Sequence, residues 1–433
     1  MTFLQNMKRK PHLGRRLFGT AVLLSFLIVL TGCGASTSTD SGSSTDTGSE
    51  EAFLSEESDA AEEEGDADRA TADAAAEPGG DSSPDNEGVD ADSDAVSGKE
   101  GELTETAEPA DYDYGTPLEV PEGQYLSELT GLPIDQTLQN QRPIAVMVDN
   151  ESKALPHYGT AEADIVYEMM NSTANDRITR LMCVYKDWGS LTQVGSIRSV
   201  RPTNILVAQE YDAVICHDGG PYYINDYFSR YPYHFSGTFS RVNNGKAREF
   251  TEYILSGDLE RNFRSSGYST EYAEDSDAPG GHFSFAAYGT RINPDDYDAD
   301  GVRTANTIEL PFYHNGSQLR YNEKTGTYDY YEYGRQHLDA DTDAPLTFKN
   351  VLLQDCSFHQ YDSNGYMIYN CIARFQLAYY CTEGKNISVL WTKEGEDGIT
   401  RFYDAAGDEI TLNPGKTYIG IIPDDTWDEV KIY

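Results

Sequence analysis

Three short stretches of this sequence carry residue types able to bind or transform an anion. The first is Gly195-Ser196-Ile197-Arg198-Ser199-Val200-Arg201-Pro202. Its two guanidinium groups are planar forks of donors suited to carboxylate or phosphate. The second is Asp149-Asn150 and the third His217-Asp218-Gly219-Gly220. Proline suits the first position of a helix, where its missing N–H costs nothing. A helix from Pro202 to about Gln209 would set Arg198, Ser199 and Arg201 at its start, where free N–H groups and the helix dipole favour anions. Asp149 or His217 could then act as acid or base, with the arginines stabilising developing charge. The same residues equally suit a site that binds without catalysis.

Each candidate has a structural competitor. Asp149 and Asn150 bond their own backbone readily and could cap a turn. His217 could be a satisfied structural histidine. Gly219-Gly220 could serve a turn with positive φ, or allow a ligand close to the backbone. Arg198 could pair with Asp149 or Glu168 inside the fold. No Ser-His-Asp order, HExxH or phosphate-loop motif is present. After Cys33 the chain has Cys183, Cys216, Cys356, Cys371 and Cys381. An odd count without C-x-x-C spacing leads us to expect no metal site and no cofactor. Cys183 and Cys216 lie in apolar runs and read as buried. One or two disulfides are open, with no pairing indicated.

The elements that must position these residues read as an α/β sheet. Ile144 to Val148 is a continuous apolar run, as in a strand buried on both faces. Ile165 to Met170, Ile178 to Tyr185 and Ala213 to Cys216 read as further strands, and Pro221 as the start of another helix. Ligands on such sheets gather at the carboxyl ends of strands, where Asp149, Asn150, His217 and Asp218 fall. The spacing predicts a β-rich second part with strands at Leu346–Gln354, Tyr366–Phe375, Ile387–Trp391, Thr400–Tyr403 and Thr417–Ile422, separated by glycine- and asparagine-rich turns. Tyr328 to Tyr333 holds four tyrosines. They suit either sugar or peptide contact or a half-buried strand with alternate rings packed.

The chain's start reads as a targeting segment. Lys8, Arg9, Lys10, Arg15 and Arg16 precede the apolar run Leu17 to Leu30, and Leu30-Thr31-Gly32-Cys33 has the form of a lipobox. That layout is a lipoprotein signal peptide over 1–33, with Cys33 acylated and the remainder outside the cytoplasmic membrane. From 34 to 120 the chain has 27 acidic residues against two basic ones. Such a segment cannot bury enough apolar surface to offset its chain entropy, so a disordered acidic linker is expected. The remaining folded part is also acidic, with 46 acidic and 25 basic residues. That argues against nucleic acid as a partner.

Beyond these readings, several motifs together resemble the YerB-type lipoprotein family. They are Leu129 to Pro133, Arg142 to Asn150, Ala163 to Glu168, Gly195 to Pro202, His217 to Gly220, Thr400 to Asp404 and Leu412 to Thr417. The resemblance spans Leu126 to Val430. It implies a lipid-anchored, two-domain extracytoplasmic protein and carries no biochemical activity with it. One segment departs from the pattern. Where members of the family often follow Lys-Ala with Pro-His-Asn, Lys246-Ala247 is followed here by Arg248-Glu249-Phe250.

The expected architecture is therefore an α/β N-terminal domain over 121–300, a mixed sheet with flanking helices that carries the site. A β-rich C-terminal domain over 305–433 follows, and both stand behind the disordered linker. The leading function is a binding or scaffold module of the cell envelope, lipid-anchored through Cys33 on the outer face of the membrane. It would recognise a wall glycopolymer or a peptide carboxylate through the arginine loop, and its expected partners besides the membrane are a cell-wall polymer or an envelope protein. The alternative is an envelope hydrolase or transferase acting on peptidoglycan or a phosphate-linked polymer.

Overall fold

The computed structural model describes residues 115–292, 294, 297 and 301–433. The signal segment, Cys33 and nearly all of the acidic linker lie outside the described residues.

Three apolar runs form the centre: β1 (Ile144–Asp149), β2 (Ile165–Met170) and β3 (Thr179–Tyr185), all buried along their whole length. Next come the helix α1 (Pro202–Ala208), β4 (Val214–His217) and β5 (His234–Ser236). The C-terminal half adds β6 (Arg303–Thr304), β7 (Asn350–Cys356), β8 (Gln376–Thr382), β9 (Lys385–Thr392), β10 (Arg401–Tyr403) and β11 (Thr417–Pro423). These make one eleven-stranded mixed sheet in the order β6-β9-β8-β7-β11-β2-β3-β1-β4-β5, with β10 beside β9.

The α/β N-terminal part and the β-rich C-terminal part therefore share a sheet. Their seam is the parallel pair β11–β2, in register from Thr417↔Ile165 to Ile421↔Met169. Among the described residues helix is sparse, as α1 has seven residues and the longest α-helix, Asp258–Ser266, has nine. A smaller six-stranded sheet, built around Gln318–Asn322 and Thr327–Glu332, packs on one face.

Successive residues of β1 point to opposite faces, so the run must be apolar throughout. Ala145 and Met147 pack with Ile205, Leu206 and Ile215 on one side. Ile144, Val146 and Val148 pack with Val194, Phe235 and Tyr330 on the other. Burying side chains of this size contributes about 1.5–3 kcal/mol each.

The expected strand at Tyr366–Phe375 is shorter. It runs only from Met367 to Tyr369, and the chain turns before β8, with Phe375 exposed in a left-handed conformation at φ 53°. Thr327–Glu332 alternates between buried and half-buried positions, so Tyr328 and Tyr330 are core residues. All five described cysteines are free and buried, and none forms a disulfide.

Candidate functional site

The carboxyl end of β1 places Asp149 in full burial, with Oδ2 2.7 Å from Arg198 Nε. Asp149 Oδ1 accepts the Glu151 N–H at 3.0 Å. On the other side of Arg198, Glu249 Oε2 lies 2.9 Å from Nη1 and the Phe250 ring centre 5.4 Å from the guanidinium carbon. The segment that departs from the family pattern thus supplies both an ion-pair partner and an aromatic face to Arg198.

The loop that leads into α1 is tied into the fold. The N–H groups of Arg198 and Val200 bond the carbonyls of Met147 and Gly219 at 2.9 and 3.2 Å. The Arg201 N–H bonds Asn204 Oδ1 at 2.8 Å, and all seven residues of α1 are buried. Ser199 takes part through its carbonyl, which accepts from Arg180 Nη1 at 3.2 Å. Two of the N–H groups in the loop before the helix are thus taken by partners distant in sequence, and that of Arg201 by a neighbour within α1.

Arg201 is placed differently from Arg198. It is buried, donates to the carbonyls of Asn171 and Val200 at 3.0 Å each, and lies 4.6 Å over the Tyr366 ring. Arg180 projects from β3 and is buried as well, with Nε lacking any hydrogen-bond partner. Asp149 is taken by Arg198, and neither Arg180 nor Arg201 has an ion pair of its own among the described residues. Burial, reinforced by Arg180, pushes Arg201 down to about 9. Burial also lowers Arg180 against the pull of Asp149, with Arg198 adding to the drop. Guanidinium groups stay protonated in proteins, so the cluster holds more positive than negative charge. Beside it, Tyr366 meets Tyr223 edge-on at 6.4 Å, Tyr223 stacks on Tyr361 at 4.4 Å, and Tyr222 is 78% exposed.

Asn150 is sealed in the core. Its amide donates to Glu168 Oε1 at 3.1 Å and Thr179 Oγ1 at 3.0 Å, while its Oδ1 is buried without a hydrogen-bond partner among the described residues. Glu168 also accepts from Asn315, Ser317, Tyr330 and Tyr418 at 2.7–2.9 Å, and burial raises its pKa.

The His217 loop runs beside the arginine loop, its Asp218 N–H bonding the Arg198 carbonyl at 3.0 Å. Its side chains turn elsewhere. His217 contacts the Gly219 carbonyl at 2.8 Å and His234 Nδ1 at 2.9 Å, and burial pushes it down to about 4. Asp218 is ion-paired to Arg241 at 2.7 Å, with Arg241 also 2.5 Å from Glu252. Burial, helped by Asp218, pushes Glu252 up to about 7. Gly219 has φ 72°, and a Cβ on Gly220 would stand 2.5 Å from Ile224, so both glycines answer to the backbone.

Sequence reasoning passed over Arg180, although a lone charge in the apolar run Ile178 to Tyr185 was the available signal. It also passed over a cavity of about 580 Å³ lined by His157, Glu332, Tyr333, His337 and neighbours. His157 is fully buried, its Nε2 2.6 Å from the Asp149 carbonyl. His337 Nδ1 lies 2.8 Å from Glu332 Oε1 and its Nε2 2.8 Å from Thr160 Oγ1. Burial lowers His157, lowers His337 to about 4 and raises Glu332.

Two family models match the chain, described as the N-terminal and C-terminal domains of a protein of unknown function, DUF3048, over residues 129–269 and 308–419. "Putative lipoprotein YerB" of Bacillus subtilis (strain 168) is 25% identical over 309 residues, which is 68% of this chain and 86% of that protein. The crystal structure of YerB protein from Bacillus subtilis matches with a TM-score of 0.60 at 21% identity, covering 71% of this chain and 99% of that one. The β11–β2 seam lies where the two matched segments meet in space, since β2 falls in the first and β11 begins in the second. On its matched domains and their shared sheet, this chain belongs to the DUF3048 family of YerB-like proteins.

Proposed function

We propose that this protein is a membrane-anchored extracytoplasmic binding module whose ligand is an anionic polymer or carboxylate of the cell envelope. One observation carries the reading: among the described residues, Arg180 and Arg201 are buried guanidinium groups that form no ion pair with a carboxylate, beside a wall of tyrosines. A buried cation normally has an ion pair, since leaving it unpaired is costly. A bound phosphate or carboxylate would supply the missing charge, and the exposed Tyr222 beside Tyr223 suits the face of a sugar ring. Wall glycopolymers combine both chemistries. The name of the Bacillus relative supports lipid anchoring, as does the Leu30 to Cys33 lipobox.

The rival reading, an envelope enzyme with Asp149 or His217 as acid or base, requires those groups and the arginines to converge on one pocket. Asp149 is locked to Arg198 and His217 faces His234, so binding is favoured.

The test is thermal unfolding in rising sulfate or phosphate against chloride at equal ionic strength, for wild type and Arg201→Met. A ligand that binds only the folded state raises the melting temperature by mass action. Wild type should gain more than the variant. An equal response in both removes Arg201 from any anion site.

A further inference from the structure

At the floor of the cavity beside Tyr333, three atoms bearing lone pairs converge with too few protons between them. The Asp149 carbonyl can only accept, so its 2.6 Å contact places the proton of neutral His157 on Nε2. His157 Nδ1 is then a bare lone pair, and it is buried with no hydrogen-bond partner. Thr160 Oγ1 lies 3.5 Å from Asp339 Oδ2, a carboxylate that accepts its proton. Thr160 then accepts from His337 Nε2, which leaves His337 Nδ1 as a second lone pair facing Glu332 Oε1 at 2.8 Å. Glu332 Oε2 is buried and makes no close hydrogen bond among the described residues, although the Asn315 amide stands near enough to lower the carboxyl.

We infer that His157 Nδ1, His337 Nδ1 and the Glu332 carboxylate form a binding site for one divalent transition-metal ion, zinc foremost, open on its remaining side to the cavity. A proton on Glu332 would satisfy the contact with His337 but leave His157 Nδ1 bare. One divalent ion satisfies all three donors at once. Zinc takes imidazole nitrogen and carboxylate oxygen at about 2.0–2.2 Å, which sets donor atoms roughly 3–3.5 Å apart in a tetrahedral set. Here His337–Glu332 at 2.8 Å and His157–Glu332 at 3.7 Å bracket that spacing, and all three atoms lie within 4.8 Å of one another.

Two imidazoles and one carboxylate suit zinc and its first-row neighbours, whereas magnesium and calcium prefer oxygen alone. The outer partners also fit a metal site. Each histidine gives its other N–H to a fixed acceptor, the Asp149 carbonyl for His157 and Thr160 for His337. Such contacts set the tautomer and orient the ring toward an ion. Three protein ligands leave a position for water or a substrate group, as in catalytic rather than structural zinc sites.

The test uses the full chain without a histidine tag, dialysed against zinc with magnesium in large excess to occupy its acidic stretch. Wild type should retain one zinc per chain, and His157→Gln or Glu332→Gln should retain none above background. Thr160→Val, which touches only the outer contact, should weaken zinc binding by about 10–100-fold. Cobalt gives a readout independent of any variant's folding. Bound at this site it should show intense visible d–d bands, unlike the weak spectrum of the hexaaquo ion. Failure of wild type to hold zinc against magnesium, or equal zinc in the His157→Gln protein, would overturn the site. Neither outcome bears on the arginine cluster, which is tested with anions.

Discussion

Arg198 Nε stands 2.7 Å from the buried Asp149 Oδ2, and this pair divides the two arginines of the loop into different roles. Arg198→Ala leaves Asp149 buried and unpaired, a change that typically costs about 3–5 kcal/mol. Arg201→Met leaves no carboxylate behind and relieves repulsion with Arg180, at the loss of two hydrogen bonds to carbonyls. Urea unfolding should therefore show a large fall in midpoint for Arg198→Ala and a small one for Arg201→Met. The reverse order would mean that Arg201, not Arg198, is the structural arginine.

Glu168 ties the two family-matched parts together. It lies on β2, and its carboxylate accepts from Tyr418 on β11 at 2.7 Å and from Tyr330 in the smaller sheet at 2.9 Å. With one continuous sheet and a shared buried carboxylate, the two parts should unfold in a single cooperative step. Tyr418→Phe leaves one Glu168 oxygen short of a donor and should cost about 1–3 kcal/mol while keeping the transition single. Calorimetry that resolved two transitions in wild type would show that the seam does not couple the parts.

Much of this architecture was legible because its signals are local. The runs at β1, β2, β3 and β11 are apolar for their whole length, and both faces of the sheet are covered. The pairing of Arg198 with Asp149 was one of the alternatives visible in the sequence. What stayed hidden depends on distant partners. Nothing near Val200 announces that Gly219 will take its N–H. His157 and His337 lie in different halves of the chain, and only the sheet seam brings them to one cavity floor. Asn150 reads as a strand-end residue, and nothing beside it in the sequence shows that Glu168 and Thr179 will take its amide.

The proposed lipid anchor rests on Cys33, which precedes the described residues. Cys33→Ala should block acylation and leave the protein unprocessed or released, because the acyl chains provide the stable membrane hold. Fractionation followed by mass spectrometry of the N-terminus checks this. Normal processing and a membrane pellet in the mutant would rule out the lipobox.

The last prediction concerns acid. His217 is enclosed by His234 at 2.9 Å, by the Phe228 ring at 5.2 Å and by the Gly219 carbonyl, with Asp218 next in sequence turned to Arg241. Burial holds its pKa near 4, below the ordinary 6.5 of an unfolded chain, and His234 is lowered by burial too. Between these values the unfolded chain binds more protons than the folded one, so stability falls as pH drops. The contribution is complete above pH about 6.5 and is lost progressively down to about 4, amounting to roughly 3 kcal/mol at about 1.4 kcal/mol per unit. His217→Gln keeps a donor for the Gly219 carbonyl but cannot take up a proton. Its unfolding midpoint in urea should start lower at pH 7 and fall less than wild type's between pH 6.5 and 4.5. Parallel curves over that interval would show that His217 titrates normally in the folded protein and is not held neutral by its surroundings.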